Sequence, residues 1–161
     1  APFAPLFTRA RAAGLRSLPH AGEMDGPSSV WAALRDLQAD RIGHGVRCLE
    51  DPALVDHLRA REVPLEVCPT SNLGIGLFPA LAEHPLPELL AAGLAVSLAS
   101  DDPPMFATSL CEEYRRCAAA FGWDAPQVAR LAANSVRHSF MAEDAKARLL
   151  AEQAAALAEL V

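Results

Sequence analysis

Leu94-Ala95-Val96-Ser97-Leu98-Ala99-Ser100-Asp101-Asp102-Pro103 decides how this chain is to be read. A short apolar run ends in a polar cluster with a proline, the pattern of a buried strand meeting a tight loop. The same grammar occurs three times upstream. Leu15-Arg16-Ser17-Leu18-Pro19 leads into His20-Ala21-Gly22-Glu23, and Asp40-Arg41-Ile42-Gly43 leads into His44-Gly45. Val63-Pro64-Leu65-Glu66-Val67-Cys68 leads into Pro69-Thr70-Ser71-Asn72. The polar loops recur about every 24 to 31 residues, the length of one strand plus a crossover helix, which argues for parallel βα units.

Helix signals fill the gaps. Pro27-Ser28-Ser29 precedes Val30-Trp31-Ala32-Ala33-Leu34, and Asp51-Pro52 sets an N-cap before a proline at the first helical position. Pro87 to Ala92 stops at Gly93, a natural residue just past a helix end. Beyond Asp102 the pattern is helical, over Leu110–Phe121, Ala125–Ser135 and Glu143–Leu160. The expected fold is α/β: about four βα units plus C-terminal helices, forming one domain over residues 1–161 with no linker or repeat.

Composition narrows the function. The 161 residues are 52% hydrophobic and 21% charged, a globular balance with a core. A net charge of −6 supplies no basic face for nucleic acid or an anionic membrane. No apolar run approaches the ~20 residues that a spanning helix needs. Cys48, Cys68, Cys111 and Cys117 form no C-x-x-C pair, so reduced thiols and a cytoplasmic location are expected.

In α/β folds functional groups collect at the carboxyl ends of parallel strands. Here those ends carry His20 and Glu23, then His44 between two glycines, then Ser71-Asn72, then Asp101-Asp102. A histidine and an aspartate at such ends can share a divalent metal, since neutral imidazole and carboxylate both suit zinc. Glu23 is near enough to address a substrate on that metal without binding it. Gly43 and Gly45 allow a sharp turn and close approach of a ligand to His44. Each feature alone has a plainer reading. A strand-end histidine is often structural, Asp-Asp-Pro is commonly a turn or helix cap, and Asn72 after Pro69 is turn-like. His57 on a helical segment and His84 in a proline-flanked loop read as surface or packing residues. His138 reads as a residue complementing a helix end, and Cys68 as a small buried apolar residue. Gly74-Ile75-Gly76 lacks the context of a phosphate loop. The conjunction of four polar motifs with four strand ends is what points to a site.

His20-Ala21-Gly22-Glu23, Gly43-His44-Gly45, Cys68-Pro69-Thr70-Ser71-Asn72 and Ser100-Asp101-Asp102-Pro103 resemble, in order and spacing, the second half of the adenosine deaminase family, over roughly residues 15 to 140. The resemblance implies a zinc-dependent TIM-type (β/α)8 barrel that hydrolyses the 6-amino group of purines. It implies His20 and Asp101 as zinc ligands and Glu23 as proton donor to the purine N1. It implies His44 as the group that orients and deprotonates the water on the metal, and Asp102 as the partner of purine N7. The other zinc deaminase design, with His-x-Glu and Pro-Cys-x-x-Cys, is not present. The family's N-terminal His-x-His and the glycine of its fourth strand end are absent, and Ala99 stands where the family usually has Asn. A whole barrel needs ~250 residues. The chain is therefore expected to be the C-terminal half of a longer deaminase, starting just after the fourth strand.

Adenosine is the leading substrate expected, with adenine and 6-amino-6-deoxyfutalosine as alternatives. Two rival readings are a zinc hydrolase acting on a cyclic amide and a half barrel with only a structural or binding role. The half barrel is expected to need its N-terminal half and otherwise to self-associate. Its first and last strands would be open edges, and Leu65, Val67, Val96 and Leu98 would face an unfilled barrel interior.

Overall fold

Four short parallel strands, β1 (His20–Ala21), β2 (Ile42–His44), β3 (Leu65–Val67) and β4 (Val96–Leu98), lie side by side in chain order. The computed structural model that shows them describes residues 2–160. Helix α1 (Ala4–Ala12) precedes the sheet, and α2 (Pro27–Asp36), α3 (Pro52–Ala60), α4 (Pro69–Gly74) and α5 (Leu86–Ala91) fall between or after strands. Then come α6 (Pro103–Phe106), α7 (Leu110–Phe121), α8 (Ala125–Arg137) and α9 (Glu143–Leu160). Sequential parallel strands joined through helices form half of a TIM-type barrel, the fold expected from the sequence.

The helix signals do what their chemistry predicts. Asp51 accepts from the Ala53 N–H at 3.0 Å and starts α3 ahead of Pro52. Gly93 adopts φ +74 just beyond α5, where a side chain would be strained. The strands are shorter and later than the apolar runs. Leu15–Pro19 does not form a strand; β1 begins only at His20. Pro19 has no N–H to donate and contributes only its carbonyl, which accepts from Gly43 N at 3.0 Å. Cys68-Pro69-Thr70-Ser71-Asn72 is not a simple loop, because Pro69 opens the short helix α4.

The register corrects one expectation. His20, Gly43, Glu66 and Ser97 stand in one row across the sheet. Leu65 and Val67 flank that row on the opposite face, as do Val96 and Leu98. All four are at most 4% exposed and join a core with Val30, Leu54, Leu58, Leu86, Leu89 and Leu131 from the surrounding helices. They therefore face the helical layer and not the barrel interior. The apolar positions of each strand pay for folding through that layer, at about 1.5–3 kcal/mol per buried side chain. The interior row is left to polar and small residues. Beneath it Arg41 pairs with Glu66.

Gly43 has a different use from the one its sequence context suggests. A Cβ there would lie 2.6 Å from His20 Cδ2, so the glycine makes room for the His20 ring. Gly45 is the one that turns, at φ +72, with Leu65 Cδ2 packed 2.7 Å from where a Cβ would sit.

Candidate active site

Strand alternation would send His44 to the helical side with Ala21. Its backbone instead takes φ +65, a left-handed conformation uncommon outside glycine, and this redirects the ring toward the strand ends. Asp101 does the same at the end of β4 with φ +53. Such conformations cost on the order of 1–3 kcal/mol and persist where surrounding structure enforces them. Both fall on residues singled out from the sequence.

His44 is the hub. Its ring is 2% exposed and meets the His20 ring edge-on, with centroids 4.8 Å apart. Its Nδ1 lies 3.2 Å from Glu23 Oε1, and its Nε2 lies 4.0 Å from Asp101 Oδ2. Burial holds the imidazole below its ordinary pKa, against the opposing pull of the Glu23 carboxylate. A neutral ring with its proton on Nδ1, donated to Glu23, leaves the Nε2 lone pair on the Asp101 side.

Glu23 reaches the hub through a tight turn. Gly22 sits at φ +66 and donates its N–H to Ser29 Oγ at 2.8 Å, which ties the turn to the first residues of α2. A Cβ on Gly22 would stand 2.6 Å from Val30 Cγ2. From the other side, buried Asn72 donates Nδ2 to Glu23 Oε1 at 2.9 Å. Buried Ser71, its neighbour in α4, donates Oγ to Asp101 Oδ2 at 2.7 Å. One short helix thus carries both anchors. Asp102 follows at the N-cap position of α6, exposed at the same strand end.

Ligand atoms of His20, Glu23 and His44 lie within 4.8 Å of one another, as do those of His44, Cys68 and Asp101. His44 belongs to both sets, His20 and Asp101 to one each. Imidazole plus carboxylate is a donor pair that suits zinc. Cys68 is a poorer donor: burial first, then Asp101, pushes its thiol up and keeps it protonated. Its Sγ points at the Glu66 carbonyl, 3.6 Å away.

Two participants were not singled out from the sequence. His84 is 2% exposed and bonds Asn72 Oδ1 through Nε2 at 3.1 Å, so of the surface and packing readings it takes the packed one. Glu113, 1% exposed in α7, accepts from Thr70 N at 3.1 Å and from Thr108 Oγ1 at 2.5 Å, holding the first turn of α4. His57 packs against Trp31, with ring centroids 4.9 Å apart, and His138 sits at the C-cap of α8, both as expected. The four cysteines are free. No helix among the described residues is long and apolar enough to cross a membrane.

Burial lowers the His84 pKa from 6.5 to about 4. Between those values an unfolded chain binds a proton that the folded one excludes. Stability is then present above pH 6.5 and falls as pH drops toward 4, by roughly 3 kcal/mol if the shift is fully expressed. His44, shifted the same way, adds to the loss. Denaturant unfolding of the assembled barrel at pH 7 and 4.5 should show a shallower acid loss in His84→Gln than in wild type. Equal slopes would show that His84 titrates normally.

The half barrel, with its polar groups gathered at the carboxyl ends of parallel strands, has the architecture of a TIM-type barrel protein. The sequence profile described as adenosine deaminase matches residues 1–156, and the chain belongs to the adenosine deaminase family. It is 52% identical over 150 residues to an aminodeoxyfutalosine deaminase of Streptomyces avermitilis, covering 93% of this chain and 42% of the relative. An adenine deaminase of Chelativorans sp. is 46% identical over 149 residues, covering 92% and 46%. An adenosine deaminase of Klebsiella pneumoniae is 41% identical over 144 residues, covering 89% and 43%. The solved adenine deaminase of Arthrobacter aurescens superposes with a TM-score of 0.92 at 44% identity, covering 94% of this chain and 46% of that one. An amidohydrolase of Burkhoderia ambifaria with bound Zn gives a TM-score of 0.89 at 27% identity, covering 98% and 44%. The chain spans less than half the length of these relatives.

Proposed function

We propose that residues 1–161 form the C-terminal half of a zinc-dependent aminohydrolase that replaces the 6-amino group of a purine with oxygen. The observation that carries this reading is the convergence on His44 of His20 and Glu23 from the end of β1 and of Asp101 from the end of β4, with each carboxylate held by its own donor from α4. His20 and Asp101 would hold the metal, together with ligands from an N-terminal half. Zinc supplies Lewis acidity that makes water nucleophilic near neutral pH. Water adds at C6 and the C6–N6 bond breaks, releasing ammonia. His44, kept neutral by burial, takes a proton from the attacking water and passes it to the departing amino group, while the remaining hydroxyl proton leaves as the C6 carbonyl forms and restores the Glu23 carboxyl. Glu23 gives a proton to ring N1, so that C6 accepts the nucleophile. Asp102 is left for the purine N7.

Adenosine is the first substrate to try. The 52% identity to an aminodeoxyfutalosine deaminase, above that to the adenine and adenosine deaminases, supports 6-amino-6-deoxyfutalosine as a second. Ammonia release from adenosine, adenine and 6-amino-6-deoxyfutalosine by the zinc-loaded, assembled barrel tests the reading, with a cyclic amide as control. Turnover of one aminopurine with kcat/KM at least about 10⁴ M⁻¹s⁻¹ is expected. Ring opening of the cyclic amide without deamination, or no turnover of any of the three aminopurines, would overturn it.

A further inference from the structure

A chain of hydrogen bonds runs into the site from the backbone of α5. The Leu86 N–H donates to His84 Nδ1 at 3.1 Å, His84 Nε2 meets Asn72 Oδ1 at 3.1 Å, and Asn72 Nδ2 meets Glu23 Oε1 at 2.9 Å. His84 and Asn72 are 2% and 0% exposed, and the Phe78 ring packs edge-on against His84 with centroids 4.9 Å apart. We propose that His84 and Asn72 are positioning residues for Glu23, forming a one-way relay that fixes which Glu23 oxygen accepts and which is left to carry the transferred proton.

The direction follows from the first link. A backbone N–H can only donate, so His84 Nδ1 must be a bare acceptor. A neutral imidazole then carries its single proton on Nε2 and donates it to Asn72. The carbonyl and amino ends of an asparagine are ordinarily hard to distinguish, and here the backbone decides between them. Asn72 must present its carbonyl to His84 and its NH2 to Glu23. One Nδ2 hydrogen goes to Glu23 Oε1, the same oxygen that faces the Nδ1–H of His44. With Oε1 committed as an acceptor, a proton on the Glu23 carboxyl belongs on Oε2. Burial keeps His84 neutral across the physiological range, so the relay does not reverse. His84 touches neither His20 nor Asp101 in any of these bonds. Its action on the chemistry runs through Asn72.

The catalytic consequence rests on the reading of Glu23 as proton donor; the relay does not. Nitrogen-15 NMR of histidine-labelled assembled barrel, with His84 assigned by its loss in His84→Gln, should show the Nε2–H tautomer from pH 8 to pH 5. The Nδ1–H tautomer, or an imidazolium in that range, overturns the relay whatever the activity of the variants. The carboxyl-carbon signal of Glu23 should move in Asn72→Asp and also in His84→Phe, although His84 does not touch Glu23. An unmoved signal in His84→Phe overturns the coupling, whatever the activity of the enzyme. In the deaminase assay both variants should lower kcat about 10- to 100-fold per folded, zinc-loaded molecule, with KM within about threefold. His84→Gln, which keeps a donor and an acceptor, should recover most of the loss. A merely structural role would lower the melting temperature and leave kcat per folded molecule unchanged, and that result overturns the positioning role. A wild type that deaminates no aminopurine but shows the tautomer and the coupled signals refutes the proposed function and leaves the relay standing.

Discussion

With Glu23 as the proposed proton donor, Glu23→Gln in the assembled barrel should lower kcat by about 10²- to 10⁴-fold while zinc remains bound. The substitution is close to isosteric, and its carbonyl oxygen can take over what Oε1 now does. That atom accepts from Asn72 Nδ2 at 2.9 Å and lies 3.2 Å from His44 Nδ1, and a Gln oxygen accepts both. The His44 ring therefore keeps its orientation. What is lost is the proton at the second oxygen, because an amide NH2 cannot be an acid near neutral pH. Substrate binding should change little and kcat should carry the effect. His20→Ala is the contrasting variant. It removes an imidazole that faces the same hub, with ring centroids 4.8 Å apart, and should empty the zinc site. Zinc content by elemental analysis, measured beside kcat on both variants, separates acid from ligand. Zinc lost in Glu23→Gln and retained in His20→Ala would mean that the two roles are exchanged.

The elements that could be read from the sequence are those whose signals are local. Asp51-Pro52 caps α3 because the capping oxygen and the N–H it serves are two residues apart. The four strand-end clusters stand out because polar residues interrupt apolar runs at a regular interval. What could not be read depends on contacts distant in the chain. His84 looks like a loop residue until folding brings it to Asn72, which in turn reaches Glu23 across 49 positions. Glu113 looks like one more charge on an amphipathic helix, yet it caps α4 from 43 residues away. The facing of Leu65 and Leu98 was ambiguous for another reason. Alternation shows that two faces differ without saying which one meets helices. In this barrel the interior row is polar because it lies under the site, and the apolar residues take the outside. Strand parity also misplaces His44, since one left-handed residue reverses the side its ring faces.

That correction changes which surfaces make the isolated chain unstable as a monomer. The strand leucines and valines are covered by the helical layer, so the liability lies elsewhere. Among the described residues β1 and β4 each pair with one strand only, and each presents unpaired backbone groups on its outer side. The β4 edge is partly blunted, because Asn134 of α8 donates to Val96 O at 2.9 Å. The β1 side has no such cover among its bonds and is flanked by exposed Leu15 (61%), Leu18 (38%) and Met24 (66%). Covering a few such side chains is worth about 1.5–3 kcal/mol each, against a total stability of about 5–15 kcal/mol for a domain. The 161-residue chain on its own should therefore self-associate through the β1 edge, or pair there with an N-terminal half. The metal argument runs in parallel. The proposed donors within these residues, His20 and Asp101, are two where a catalytic zinc usually has three protein ligands, so affinity should fall far below that of a complete site. Sedimentation at rising concentration, with zinc per chain and aminopurine turnover measured on the same samples, checks both. Oligomers that dissolve when an N-terminal half is added, and zinc well below one per chain until then, are expected. A stable monomer that holds one zinc and turns over substrate fully would show that the site is complete within these residues.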